Sequence, residues 1–217
     1  MKKSRTPVEP KGTISESTVR RLSSYLRLLQ EADARRQETI SSEELAERGG
    51  TTSAQVRKDL SFFGSFGKRG LGYSVPELLR EIEGILGLQR RWRVALVGAG
   101  KIGSALISYR NFQRRGFEIQ AVFDSDPEKV GSTWGTRIVL PDEDLERVLK
   151  EQEIDIVIIA VPGDAAQSVV DRVTRAGVRA ILNFAPVRLR VPDGVSLRNV
   201  DMVMEMEGLT YALSSKD

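Results

Sequence analysis

Residues 93–103 read Arg-Val-Ala-Leu-Val-Gly-Ala-Gly-Lys-Ile-Gly. An apolar run of strand character, 93–98, meets three glycines spaced G-x-G-x-x-G, and a helical pattern over 102–115 follows. Gly98 permits the tight turn, Gly100 lets a pyrophosphate approach the backbone beside Ala99, and Gly103 lets helix and strand pack closely. The helix N-terminus adds N–H donors for the anion. A second strand, 118–124, ends in Asp124, about twenty residues beyond the last glycine, where a carboxylate accepts from the ribose hydroxyls of NAD(H) and repels a 2′-phosphate. Asp126 adds to that repulsion and Lys129 opposes it.

Downstream the texture alternates. Strands are expected at 137–139, 154–160 and 178–182, and helices from Pro141 to 150 and over 164–176. The run at 154–160 is almost continuously apolar, as in a strand buried on both faces. Repeated strand–helix–strand units build a parallel α/β sheet of the doubly wound Rossmann type. Ligands meet such sheets at the carboxyl ends of their strands. Val161-Pro162 and Asn183-Phe184 stand there: Asn183 suits a nicotinamide amide and Phe184 can cover the ring. Val161-Pro162 reads equally as simple strand termination. The tail has two readings. Met202, Met204 and Met206 alternate as in a strand, whereas Asp201 can cap a helix running to Leu213; the helix is preferred.

Upstream, residues 15–90 read as a separate domain. Val19, Leu22, Leu26 and Leu29 form one helical stripe, capped by Ser15 or Ser17. Ser41 and Glu44 form a capping box for a short helix that ends at Gly49-Gly50. Thr51 or Thr52 caps the next helix. There Val56, Leu60 and Phe63 share one face, with Ala54, Arg57, Lys58 and Ser61 opposite. Residues 64–73 hold four glycines with Lys68 and Arg69 at the tip of an expected hairpin, and Pro76 opens a further helix closed by Gly87. Helix, turn, helix and basic hairpin in that order describe a winged helix-turn-helix. Arg57 and Lys58 suit guanine edges or phosphates, Ser53 and Gln55 base edges or backbone, and Lys68 and Arg69 a minor groove. The bland alternatives are a solvated basic face or a winged helix that binds protein.

Composition narrows the chemistry. Among 217 residues there is no cysteine and no histidine, which excludes disulfides, thiolate nucleophiles, zinc ribbons and Ser-His or Cys-His catalytic pairs. Redox chemistry would have to come from a bound cofactor. Residues 1–92 hold 17 Lys and Arg against 12 Asp and Glu, and residues 93–217 hold 16 against 18; the basic excess sits where a polyanion would bind. No apolar run approaches the ~20 residues that span a bilayer, and the charged, Pro-containing residues 1–11 lack the core of a signal peptide. A cytoplasmic protein with a disordered arm over residues 1–14, no metal and no membrane partner is expected.

Residues 51–64 (Thr-Thr-Ser-Ala-Gln-Val-Arg-Lys-Asp-Leu-Ser-Phe-Phe-Gly), 67–73 (Gly-Lys-Arg-Gly-Leu-Gly-Tyr), 97–106, 123–131 and 181–186 together resemble the Rex family of redox-sensing transcriptional repressors. The resemblance covers nearly the whole chain beyond the arm. It implies a homodimer of subunits with a winged helix (15–90), a Rossmann domain (91–199) and a C-terminal helix (200–217) swapped onto the partner. It implies a repressor that binds palindromic operator DNA when NADH is scarce and releases it when NADH binds, with NAD⁺ favouring the bound form. By the same resemblance Gly98, Gly100, Lys101, Ile102 and Gly103 hold the pyrophosphate and Asp124 the adenosine ribose. Tyr109 lies near the nicotinamide as a switch residue, and Arg27 pairs with the partner's Asp201. Met202 stands where some members carry an aromatic residue beside the nicotinamide, and Lys101 where an arginine occurs. Two rival readings are a small NAD-dependent oxidoreductase, disfavoured by the missing histidine and substrate domain, and a winged-helix regulator that senses CoA or another nucleotide.

Overall fold

The computed structural model describes residues 14–64, 66–67 and 71–215. The chain divides into two compact units, Met1–Arg90 and Arg91–Asp217. Residues 1–13 of the arm expected over 1–14, and Lys68 and Arg69 at the expected wing tip, lie outside the described residues.

In the first unit α1 (Glu16–Ala34) starts at Ser15, whose hydroxyl accepts the Thr18 N–H at 3.2 Å. Its packed face is Leu22, Tyr25, Leu26, Leu29 and Ala32. Val19, expected in that stripe, is 40% exposed, and Thr18 takes the position one turn before Leu22 instead. Then come β1 (Thr39–Ile40), α2 (Ser42–Gly49) and α3 (Ser53–Ser61). Only half of the capping box forms. Ser41 Oγ accepts the Glu44 N–H at 3.0 Å, while the Glu44 carboxylate takes the Gln37 amide instead. Gly50 closes α2 in the left-handed region, at φ 62°, where only glycine sits without strain. β2 (Tyr73–Ser74) pairs antiparallel with β1, and α4 (Val75–Ile85) follows, with Pro76 in its first turn. Strand β1 was not anticipated; residues 64–73 had been expected to pair with themselves. Gly67 lies close to Gly72, since a Cβ on Gly67 would lie 2.5 Å from Gly72 O.

The second unit runs β3 (Trp92–Val97), α5 (Lys101–Ile107), α6 (Arg110–Arg114), β4 (Phe117–Asp124), β5 (Thr133–Trp134) and β6 (Arg137–Pro141). A 3-10 turn then leads into α7 (Leu145–Glu151), β7 (Ile156–Ile159), α8 (Gly163–Arg175), β8 (Ala180–Asn183), β9 (Ser196–Asn199) and α9 (Met202–Ser214). The sheet order is β5-β6-β4-β3-β7-β8-β9, parallel except for the β5–β6 pair. Without the edge strand β5 this is the doubly wound order 3-2-1-4-5-6, whose order reverses at the first strand, β3. Apolar clusters cover the sheet, one around Val97, Phe123, Val157 and Ile159, the other around Val94, Leu96, Val122 and Ile158.

Two sequence expectations change here, and the preferred reading of the tail holds. The helix expected over 102–115 is broken: Tyr109 is extended (φ −79°, ψ 92°) between α5 and α6, and Ser108 Oγ bonds back to Ser104 O at 3.1 Å. Such back-bonding competes with the backbone ladder and weakens a helix. Pro141 ends β6, paired beside Asp124, and also caps the 3-10 turn Asp142–Asp144, so the α-helix expected from Pro141 begins at Leu145. The tail is helical, with Asp201 Oδ1 accepting the Val203 and Met204 N–H groups.

Candidate dinucleotide and DNA sites

The carboxyl ends of β3, β4 and β7 meet at the glycine turn, with β8 next in the sheet beyond β7. Gly98 has φ 104°, and a Cβ there would lie 2.5 Å from Ala160 O. Its N–H donates to Phe123 O at 2.8 Å, which ties the turn to β4. Gly103 is packed as tightly, since its Cβ would meet Gly98 O at 2.2 Å. Gly100 differs: a Cβ there would meet nothing within 4 Å. Two glycines are therefore required by the protein's own packing, and the middle one faces open space at the start of α5. That is the arrangement in which a phosphate can approach the backbone. Lys101 and Ile102, the first two residues of α5, are exposed beside it.

Asp124, at the end of β4, is 9% exposed. Its carboxylate accepts the Ala99 N–H at 2.7 Å and the Asp126 N–H at 2.9 Å, and Lys129 Nζ lies 3.3 Å away. Desolvation works against the Lys129 ammonium, but the charges of Asp124 and Asp126 prevail and hold its pKa above the ordinary lysine value. Asp124 thus braces the glycine turn from the end of β4. Lys129 neutralises part of the charge that would exclude a 2′-phosphate.

Val161 and Pro162 follow β7, and Pro162 caps α8. Asn183 is 1% exposed. Its Nδ2 donates to Ala185 O at 3.0 Å and to Asn199 Oδ1 at 2.9 Å, and its Oδ1 accepts the Ala185 N–H. The amide shapes the turn after β8: its NH₂ is used by Ala185 O and Asn199 Oδ1, and its Oδ1 accepts one N–H. Phe184 is half-buried, and its N–H donates to Ile159 O at 2.8 Å. Tyr109 is 51% exposed and packs edge-on against Phe112. It lines a cleft with Leu106, Ile107, Phe117 and Ile119 that includes none of the glycine turn. Met202, the first residue of α9, is 63% exposed. The described contacts bring neither Tyr109 nor Met202 to the glycine turn.

In the first unit Thr52 caps α3 by accepting the Gln55 N–H at 3.2 Å. Val56, Leu60 and Phe63 are buried, while Ala54, Arg57, Lys58 and Ser61 are exposed and Ser53 is half-buried. Arg57 Nη1 donates to Ser42 Oγ at 2.9 Å and to the Glu43 carboxylate at 3.2 Å, so α2 braces it. Lys58 has no ion pair among the described residues, and Ser61 Oγ is turned to Lys58 O.

Beneath this face lies a network that the sequence did not disclose. Asp59 is fully buried, and its carboxylate takes Arg21 through two nitrogens (2.6 and 2.7 Å), Tyr25 Oη–H (3.0 Å) and Gln55 Nε2–H (2.8 Å). Burial alone would raise the Asp59 pKa, but the hydrogen bonds from Arg21, Gln55 and Tyr25 outweigh it and hold the carboxyl below the usual range. Burial, then the Asp59 carboxylate, push the Tyr25 phenol up to about 12. The available signal was an acidic residue three positions after Val56, on the packed side of a basic helix.

A helix-turn-helix with a two-stranded sheet, joined in one chain to a doubly wound sheet with an open glycine cradle, defines a DNA-binding regulator with a dinucleotide module. Family models described as "Putative DNA-binding protein N-terminus" and "CoA binding domain" match residues 13–61 and 89–187. The redox-sensing transcriptional repressor Rex of Desulforamulus reducens is 49% identical over 204 residues, covering 94% of this chain and 97% of the relative. That of Carboxydothermus hydrogenoformans is 50% identical, covering 91% and 95%. The chain belongs to the Rex family, whose members are transcriptional repressors and not enzymes. Among solved structures, RSP in complex with β-NAD⁺ and operator DNA matches with a TM-score of 0.90 at 38% identity, covering 95% of each chain. RSP in complex with β-NADH matches with a TM-score of 0.86 at 37% identity, covering 95% of this chain and 97% of the other.

Proposed function

We propose that this chain is a homodimeric, cytoplasmic repressor that binds palindromic operator DNA when NADH is low and releases it when NADH binds, with NAD⁺ favouring the bound form. The observation that carries this reading is the open cradle at Gly100, braced by Asp124 and Ala99, in a chain that aligns over 95% of its length with RSP solved with NADH and with NAD⁺ and operator DNA.

The site residues take these roles. Gly98 and Gly103 set the turn, and Gly100, Lys101 and Ile102 offer backbone N–H groups and a cation to the pyrophosphate. Asp124 accepts from the adenosine ribose. Val161, Pro162 and Phe184 line the nicotinamide end, and Asn183 supports it by holding its loop. When bound, the nicotinamide supplies a charge that differs between its oxidised and reduced forms. Tyr109, at the break between α5 and α6, is the switch residue, and Met202 fills the space beside the ring. Arg27 is exposed and unpaired among the described residues. Asp201 uses only Oδ1 to cap α9, which leaves Oδ2 for the partner's Arg27. On α3, Arg57 and Lys58 meet bases or phosphates, with Ser53, Gln55 and Ser61 alongside, and Lys68 and Arg69 meet the minor groove.

The test is DNA binding at fixed salt to a palindromic duplex selected from random sequence, with NADH titrated alone and against NAD⁺. NADH should release the duplex and NAD⁺ should oppose the release. The CoA match over residues 89–187 supports a second reading, so CoA is titrated alongside. Release by CoA and not by NADH would replace the first reading with the second. DNA binding indifferent to all three would overturn both.

A further inference from the structure

Gln55 belongs to the first turn of α3, where recognition helices present side chains to base edges. A free glutamine amide offers both a donor and an acceptor, and in the major groove it typically grips adenine with both. Gln55 is not free. Its side-chain nitrogen lies 2.8 Å from Asp59 Oδ1, and Asp59 is fully buried beneath the helix. The other groups on that carboxylate, the Arg21 guanidinium and the Tyr25 hydroxyl, also donate to it. An ionised carboxylate has no proton to give. The end of the Gln55 amide that faces it must therefore be the NH₂, and this follows from chemistry whichever way the amide is drawn. The Gln55 oxygen is left pointing away from Asp59. Thr52 and Gln55 have the spacing of a capping box, in which this oxygen would turn back to the Thr52 N–H. That return bond is not made: among the described residues the oxygen accepts nothing.

We infer that Gln55 presents its amide oxygen to DNA as the base-reading acceptor, its orientation set by the N–H that Asp59 holds, and that it selects an exocyclic amino group in the major groove, either N6 of adenine or N4 of cytosine. This rests on the reading that α3 enters the major groove. Asp59 is then a positioning residue for specificity and touches no DNA itself. Arg21 and Tyr25 extend the same support to α1, so the orientation of one base-reading amide is tied to the packing of the domain.

The experiment uses the full-length chain and the selected duplex. Each adenine in turn is replaced by purine, each cytosine by 2-pyrimidinone and each guanine by 7-deazaguanine, and binding is compared between wild type and Gln55→Ala. The variant keeps two of the three donor residues on Asp59, and thermal unfolding verifies that it folds. At one base pair per half-site, removing the amino group should weaken wild-type binding about tenfold and leave Gln55→Ala indifferent. The comparison cancels the weaker pairing of the modified base. Purine and 2-pyrimidinone arms distinguish adenine from cytosine. If the sensitivity lost in Gln55→Ala is to 7-deazaguanine, or if no amino-bearing base couples to Gln55, the inference is overturned while DNA binding stands. If the wild-type chain binds no duplex, the reading of α3 as a DNA helix falls first.

Discussion

Asp59 makes the strongest claim of any single side chain. A fully buried carboxylate survives only because three donor residues surround it, and breaking such a pair from one side leaves the other charge stranded. Asp59→Ala, which strands Arg21 and the Tyr25 hydroxyl, is expected to cost the first unit about 3–5 kcal/mol, read by urea denaturation followed in the far ultraviolet. The pH dependence has a definite sign. The folded pKa of Asp59 lies below its unfolded value, so its contribution is complete above the unfolded value and is lost as pH falls through the folded one. The wild type should weaken on acidification below the ordinary aspartate range, about 3.9, and Asp59→Asn should lack that component. A variant that loses stability in parallel with wild type down the same acid limb would show that Asp59 carries none of it. The exposed face of α3 was legible from the 100° step, and Arg57 and Lys58 lie on it. The network was not legible, because Arg21 stands 38 residues before Asp59 and nothing local in the sequence joins them. The Asn183 network was illegible for a related reason: a polar residue at a strand end suits a ligand and a loop equally, and nothing local shows that its amide holds the loop.

At the scale of elements, the glycine turn separates what folding needs from what a ligand needs. A methyl at Gly103 would collide with Gly98 O at 2.2 Å. Gly103→Ala should therefore push α5 off the sheet, costing about 1–3 kcal/mol and NADH binding together. Gly100 has an ordinary backbone conformation, φ −100° and ψ −166°, and an open surround. Gly100→Ala should leave the melting temperature within the range of neutral surface changes, about 0.5 kcal/mol, while weakening NADH at least tenfold, because the methyl occupies the path of the pyrophosphate. Fluorescence titration with NADH and thermal unfolding of both variants test this; undiminished NADH binding by Gly100→Ala would remove the cradle from the site. Long apolar strands such as β3, β4 and β7 were readable because burial on both faces leaves a continuous signal. The two-residue strands β1 and β5, and the largely exposed β9, leave almost none. The break at Ser108 and Tyr109 was hidden because apolar and polar residues keep helical spacing across it. It matters because it takes the expected switch tyrosine out of a helix and sets it in the extended break between α5 and α6.

For the whole molecule the telling element is α9. Met202, Val203, Met204, Met206, Leu209, Tyr211 and Leu213 are each at least 60% exposed, and no residue of the helix is buried by its own chain. A helix apolar on every side is stable only when something covers it. An exposed apolar surface of this kind marks an interaction site; in the dimer proposed here the partner subunit supplies the cover. Removing residues 201–217 should turn a dimer into a monomer, as measured by sedimentation. The cradle lies within residues 98–124, so the truncated chain should keep most of its NADH affinity. It should lose tight binding to a palindrome, because two half-sites set ~34 Å apart demand two linked recognition helices. Linkage sharpens the test. In the full-length dimer, if NADH weakens DNA binding by some factor, DNA must weaken NADH binding by the same factor. A nearly complete switch requires about 5.5 kcal/mol of differential binding, shared between two cofactor sites. In the truncated monomer that reciprocal factor should fall to one: NADH still binds, and a single half-site no longer affects its affinity. If the truncated chain remained dimeric, or if its NADH affinity still responded to DNA, the coupling would lie within one subunit and the swapped helix would have no part in it.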